Sequence, residues 1–169
     1  VFSKTISKQN VREAFNEAFV AVSSNGDIAL SSEEQPHHLL EKELPHPRAF
    51  GTLPRFFDRF VKKGEHESTP RDESAQDDVD ENTPRVFSWE EAVRRATSLP
   101  AEIAGIADRG LIKIGMKADM VLFDPIAIKD KATYLHPYQY PEGIKYVFVN
   151  GKLPVSDGKF HALPAGEVL

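Results

Sequence analysis

The sequence predicts an α/β fold, and three stretches carry that prediction. SKQNVREAFNEAF sets Val11, Ala14, Phe15 and Ala18 at helical spacing behind a polar start at Ser7, and it runs directly into AFVAVSS, which is short, nearly uncharged and partly β-branched. FGTLPRFFDRFVKK aligns Phe50, Leu53, Phe56, Phe57, Phe60 and Val61 on one helical stripe. GIKYVFVNGKLPVSDGKF reads as a hairpin, because two strand-like runs meet at Asn150-Gly151.

Taken in order, the first helix is expected from about Gln9 to about Asn16. AFVAVSS then suits a strand buried on both faces, and a helix followed by such a strand is one step of a barrel or of a doubly wound sheet. From Asp27 to Pro47 the chain is polar and broken by Pro36, Pro45 and Pro47, the pattern of a long functional loop. In the phenylalanine-rich helix, Pro54 is admissible in the first turn. Residues 63–85 carry few apolar side chains and an excess of acids, so they read as a disordered insertion. The spacing and central glycine of a calcium loop are missing there. Ser88 and Glu91 form an S-x-x-E capping box ahead of a helix with Ala92, Val93, Ala96 and Leu99, which Pro100 is expected to end before a further turn at Gly105. ADMVLFD is a strand, Asp157-Gly158 a second turn, and the last third a small β unit.

Composition narrows the function. Hydrophobic residues at 40% and charged ones at 28% are ordinary for a globular domain, and no apolar run approaches a membrane span. A net charge of -5 with scattered basic residues argues against nucleic-acid binding. No membrane partner and no nucleic-acid partner are therefore expected. The chain has no cysteine, hence no thiolate nucleophile and no cysteine metal site. It starts at Val1 without the charged and apolar regions of a signal peptide, which suggests a cut piece of a cytoplasmic protein.

Several motifs together carry a family resemblance. SLPAEIAGIADRGLIKIGMKADMVLFDP, followed by YPEGIKYVFVNGKLPVSDGKFHALPAGEVL, resembles the carboxy-terminal end of the N-acyl-D-amino-acid deacylases (D-aminoacylases) of the amidohydrolase superfamily. HPRAFGTLPRFF resembles the segment after the final barrel strand of that family, and SKQNVREAF the helix leading into it. The RG-x-I-x-x-G-x-x-AD-x-V-x-FDP pattern is shared across the superfamily, whereas HPR-x-FGT-x-PR points to the deacylase branch and away from dihydroorotase-like relatives.

The resemblance implies the final strand and helices of a TIM-type (β/α)8 barrel over residues 1–112, and strands of a small β-sandwich over residues 113–169. It implies a zinc-dependent hydrolase whose metal ligands lie outside this chain, whose substrate is an N-acyl amino acid, and whose missing amino-terminal barrel portion is the chain's natural partner. Alone, the chain is expected to be inactive. His37-His38 is adjacent rather than H-x-H and is not expected to bind metal. His66, His136 and His161 are expected at the surface.

In the family this strand ends in Ser-Asp-Gly, with the aspartate beside the metal, where a carboxylate moves a proton from water to the leaving amine. The matching residue here is Asn25, between Ser24 and Gly26, and an amide has no proton to exchange near neutral pH. Asp27 reaches the same mouth only with a shift of register, and the bland alternative makes Asn25-Gly26 a plain turn. Arg48 is a candidate for a two-pronged contact with the substrate carboxylate, and His46 for orienting it or donating to the acyl oxygen. Loop bracing is the competing role for both. Because the proton carrier is replaced, a second function stays open: a catalytically dead relative serving as a binding or scaffolding subunit.

Overall fold

The computed structural model describes residues 7–26, 45–61 and 87–167. Among the described residues four helices come first, α1 (Lys8–Asn16), α2 (Arg48–Phe60), α3 (Trp89–Ala96) and α4 (Ser98–Ile103). Four strands follow, β1 (Met120–Phe123), β2 (Ile144–Val149), β3 (Lys152–Ser156) and β4 (Lys159–Phe160). They form one antiparallel sheet in the order β1-β2-β3-β4.

Helix α1 starts where its polar residue says it should, with the Ser7 hydroxyl oxygen accepting from Asn10 N–H at 3.1 Å. The turns also follow their chemistry. Asn150 and Asp157 have φ of 49° and 50°, and Gly151 and Gly158 follow at 76° and 71°, so both dipeptides make the left-handed turns that match strand twist. Register shifts between Val147 and Val149, across from the part of β3 that holds Pro154, which has no N–H to give the ladder.

Three local expectations are corrected. Helix α2 begins at Arg48 rather than at Phe50, so Pro54 is its seventh residue and lies in the interior. Burial of Pro54, Phe56 and Phe57 against the rest of the core offsets the hydrogen bond that proline removes. Pro100 does not end α3. The helix stops at Thr97, whose φ and ψ of -133° and -83° are non-helical, and Pro100 sits in the first turn of α4, where its missing N–H costs little. The capping box is half formed: the Ser88 oxygen accepts from Glu91 N–H at 3.4 Å, but the Glu91 carboxylate turns away to Arg94 and Arg95, whose charged donors outcompete one backbone N–H.

The largest correction concerns AFVAVSS. Ala18–Ser24 joins no sheet among the described residues. Val20, Ala21 and Val22 are half-buried, and Phe19 is 70% exposed, so the segment is not covered on both faces. A strand requires a ladder partner; here α3 takes that place. Arg94 Nη2 donates to the Ala18 carbonyl at 2.7 Å and Arg95 Nη1 to the Val20 carbonyl at 3.1 Å, while Val22 N–H donates to the Arg95 carbonyl at 2.9 Å.

Phe56, Phe57, Val61, Phe87, Ala92 and Ile128 form the core, with Phe15, Val22, Trp89 and Phe123 packed on it. Phe57 stacks on Trp89 at 5.7 Å and on Phe123 at 5.6 Å, which ties α2 and α3 to the sheet. The expected insertion at 63–85 and the loop from Asp27 to Leu44 lie outside the described residues. Val61 and Phe87, on either side of the insertion, pair with each other.

Candidate active site

Two of the residues singled out by sequence, His46 and Arg48, lie at the first turn of α2, and the neighbour of the third, Gly26, packs on that turn. Pro47 is the N-cap and supplies no side-chain acceptor, so His46 caps the helix instead. Arg48 N–H donates to His46 Nδ1 at 3.0 Å, and Ala49 N–H donates to the His46 carbonyl at 2.9 Å. His46 and Arg48, both exposed, thus belong to a helix start rather than to a loop.

Asn25 approaches the same turn. Its φ of 41° puts it in the left-handed region, which asparagine tolerates better than most residues, and Gly26 N–H donates to Ser24 Oγ at 3.3 Å. Gly26 presses against α2 so closely that a Cβ there would lie 2.8 Å from Ala49 Cα and 3.4 Å from the Arg48 carbonyl. Only glycine permits that approach. The Asn25-Gly26 pair is therefore a tight bend, and one seated on the residues of the candidate site.

Two elements hold the bend and the helix start in place. On one side, α3 grips the incoming run through Arg94 and Arg95, both paired to Glu91 at 2.7 and 2.6 Å. Arg95 is 3% exposed, and its guanidinium lies 4.6 Å from the Phe87 ring centre. Arg94, then Arg95, pull the Glu91 carboxyl down to about 2. On the other side, the stretch Asp130–Tyr140 lies along α2. Arg55 pairs with Asp130 at 2.6 Å and donates to the Ala132 carbonyl at 3.2 Å. Gly51 leaves room where α2 crosses this pair, since a Cβ there would displace the Asp130 carboxylate from its place beside Arg55. Tyr138 and Tyr140 pack edge-on against Phe50 at 6.1 and 5.7 Å, and the Tyr134 hydroxyl lies 3.2 Å from His46 Nε2. Burial, and then the charges of Arg48 and Arg55, lower the His46 pKa.

Sequence reasoning missed this tyrosine-bearing stretch. TYLHPYQY lacks both periods, and its only signal is three tyrosines in seven residues. An open cleft of about 980 Å³ runs from Ser24 and Arg48 past Val93 and Tyr140 toward the sheet.

The superfamily pattern is structural here. Arg109 pairs with Asp119 and donates to Asn150 Oδ1 at 2.7 Å, while Asn150 N–H donates to Asp119 Oδ1 at 2.7 Å. The Asn150 N–H, then Arg109, lower the Asp119 pKa. Asp124 accepts from the N–H groups of Ile126 and Ala127 and so closes the turn after β1.

Among the described residues no group of three or more histidine, aspartate or glutamate side chains could hold a metal ion. The described residues therefore do not fit a metal centre by themselves. His136 and His161 are exposed as expected, and His37, His38 and His66 lie outside the described residues. No described helix is long and apolar enough to cross a membrane.

Residues 69–155 match the model of the amidohydrolase family. The chain is 33% identical over 144 residues to a D-aminoacylase of Alcaligenes xylosoxydans xylosoxydans, covering 85% of this chain and 25% of that protein. A solved D-aminoacylase, studied for its binuclear metal center, superposes with a TM-score of 0.64 at 31% identity, over 95% of this chain and 27% of its own. An N-acyl-D-glutamate deacylase of Bordetella bronchiseptica, complexed with zinc and a phosphonate inhibitor that mimics the tetrahedral intermediate, gives a TM-score of 0.63 at 29% identity, over 95% and 28%. The chain spans about a quarter of the length of these relatives. With the fold, the motifs and these likenesses in agreement, the chain belongs to the amidohydrolase family, in its D-aminoacylase branch.

Proposed function

We propose that this chain is part of a longer metal-dependent hydrolase that converts N-acyl-D-amino acids and water into a carboxylate and a D-amino acid, and that it supplies one side of the substrate mouth. In this reading Ala18–Ser24 completes a (β/α)8 barrel when the preceding strands are present, and β1–β4 belong to its β-sandwich. One observation carries the proposal: the close seating of Gly26 on Ala49 brings the Asn25 bend to the turn that presents Arg48.

The roles follow from side-chain chemistry. The Arg48 guanidinium is a planar fork suited to the carboxylate of an N-acyl amino acid. His46 holds the helix turn that aims it. Asn25 offers an amide that accepts and donates hydrogen bonds at the reacting group but moves no proton. In the relatives metal is zinc or a binuclear centre; the described residues here lack the donors for one, so no step is assigned through it and the isolated chain is expected to be inactive.

The test uses the intact protein and N-acetyl-D-amino acids. Asn25→Asp restores a proton-carrying group and should raise turnover by about 10²- to 10⁴-fold, the usual range for general acid–base catalysis. Arg48→Ala should weaken substrate binding about tenfold or more, the scale of a lost charge-assisted pair. Because asparagine before glycine deamidates, intact-mass analysis must accompany the assay. Equal turnover by the protein with a verified Asn25 and by the variant would remove Asn25 from the site. Asn25 itself favours a second reading, a binding or scaffolding subunit without turnover. Tight binding of the N-acyl amino acid with no hydrolysis, even after Asn25→Asp, would select it.

A further inference from the structure

His46 is held from two sides, and the two contacts are compatible with one protonation state. A neutral imidazole has one lone pair and one N–H. The lone pair is used at Nδ1, where Arg48 N–H donates at 3.0 Å. The proton is thereby left to Nε2, which faces the Tyr134 oxygen at 3.2 Å. The other tautomer, and the doubly protonated ring, would both point an Nδ1–H at the Arg48 N–H. The two rings meet edge to face, with centroids 5.1 Å apart at 80°.

We propose that Tyr134 is a positioning residue of the candidate site: it holds His46 as the Nε2–H tautomer and fixes its ring, so that the α2 start presents Arg48 to the substrate carboxylate in one orientation. The proposal rests on the substrate role given to Arg48 above.

Tyr134 is itself placed by groups on both sides. Asp130 accepts from Ala132 N–H at 2.9 Å within its own stretch and from Arg55 Nε of α2 at 2.6 Å, and Tyr138 and Tyr140 lean on Phe50. The charged groups around the ring are Arg48 and Arg55 of α2, with Asp130 paired to Arg55 from the opposite stretch. Both arginines disfavour an imidazolium, in agreement with the single tautomer that the hydrogen bonds allow.

The experiment takes the intact protein with ¹⁵N-labelled histidine and follows the ring nitrogens, with His46 assigned by the loss of its signals in His46→Gln. Binding of N-acetyl-D-leucine and N-acetyl-D-glutamate is measured by calorimetry, so the readout does not depend on turnover. The expected spectrum shows His46 as the Nε2–H tautomer, with a slowly exchanging proton that is lost in Tyr134→Phe. That variant keeps the ring contact, and its affinity for the bound probe should fall about threefold to tenfold, the scale of one hydrogen bond. An Nδ1–H tautomer, or a Tyr134→Phe protein with unchanged spectrum and affinity, would overturn the proposal. If Arg48→Ala weakens binding while Tyr134→Phe does not, the positioning role falls and the site stands. If neither variant alters binding, the site reading falls and the proposal with it.

Discussion

The dipeptide Asn-Gly occurs twice, at Asn25-Gly26 and at Asn150-Gly151, and both asparagines are left-handed, at φ of 41° and 49°. One joins two paired strands; the other ends a run that joins no sheet among the described residues. The local chemistry is the same, so the turn itself is a local property, whereas the strand beside it is not. What differs is the anchoring. Asn150 donates through Nδ2 to the Ala165 carbonyl and accepts from Arg109, whose guanidinium also pairs with Asp119. Asn25 is exposed, and its bend is secured through its neighbours: Gly26 on Ala49, and Val20 and Val22 on Arg95.

Replacing each asparagine by alanine should separate the two most sharply. Alanine in the left-handed region costs about 1 kcal/mol at either position. At Asn150 the change also strips a half-buried Arg109 of an acceptor and the Ala165 carbonyl of a donor, so Asn150→Ala should cost about 3 kcal/mol in all. Denaturant midpoints of the two variants read the difference directly. Equal losses would show that the Arg109 lock contributes nothing and that the two turns are alike.

Next in size is Arg95→Leu. Arginine 95 is buried, donates to the Val20 carbonyl and to Glu91, and covers Phe87. Leucine keeps much of the apolar contact and leaves the Val20 carbonyl without its donor, for a cost of about 2 kcal/mol. The sharper readout is local. Exchange at the Val22 amide should quicken markedly while amides of β2 and β3 keep their protection. Uniform loss across both regions would mean that the Ala18–Gly26 run is not held by α3 in particular.

How far the sequence revealed this fold depends on where the determining contact lies. Turns at Asn150-Gly151 and Asp157-Gly158, the Ser7 cap and the apolar stripe of α2 each depend on residues within a few positions, and all were legible. The strand expected at Ala18–Ser24 was not, because its outcome is decided by partners: within this chain the arginines of α3, about 75 residues on, occupy its carbonyls. The early start of α2 was hidden by two prolines that look like loop punctuation, when His46 was supplying the cap. Asn25, His46 and Arg48 came to notice through motif likeness, and the structure sets His46 and Arg48 at one turn with Gly26, the neighbour of Asn25, packed on it. Tyr134 was illegible, since nothing in TYLHPYQY signals a partner 88 residues earlier.

The smallest effect tests the same strap by pH. In the folded chain the Glu91 carboxyl sits at about 2, against an ordinary value of 4.5, chiefly through Arg94 and then Arg95. A carboxyl whose folded pKa is depressed releases its proton more readily when folded, so it adds stability above pH 4.5. That contribution fades as pH falls from 4.5 toward 2 and is gone once Glu91 is protonated in both states. The Glu91 side chain is a third exposed, so solvent screens the pairs and the contribution is about 1 kcal/mol. Acid should thus loosen the Arg94 and Arg95 grip on Ala18 and Val20, while the hairpin at Asn150 has its own acid-sensitive group in Asp119, whose pKa is also lowered. Following the Val22 and Val147 amides through that pH range gives the comparison. In Glu91→Gln, whose amide keeps shape but not charge, the pH dependence at Val22 should flatten while stability at neutral pH drops by the same amount. If Val22 responds to acid as steeply in Glu91→Gln as in the parent chain, another group titrates there and Glu91 is not the anchor of the strap.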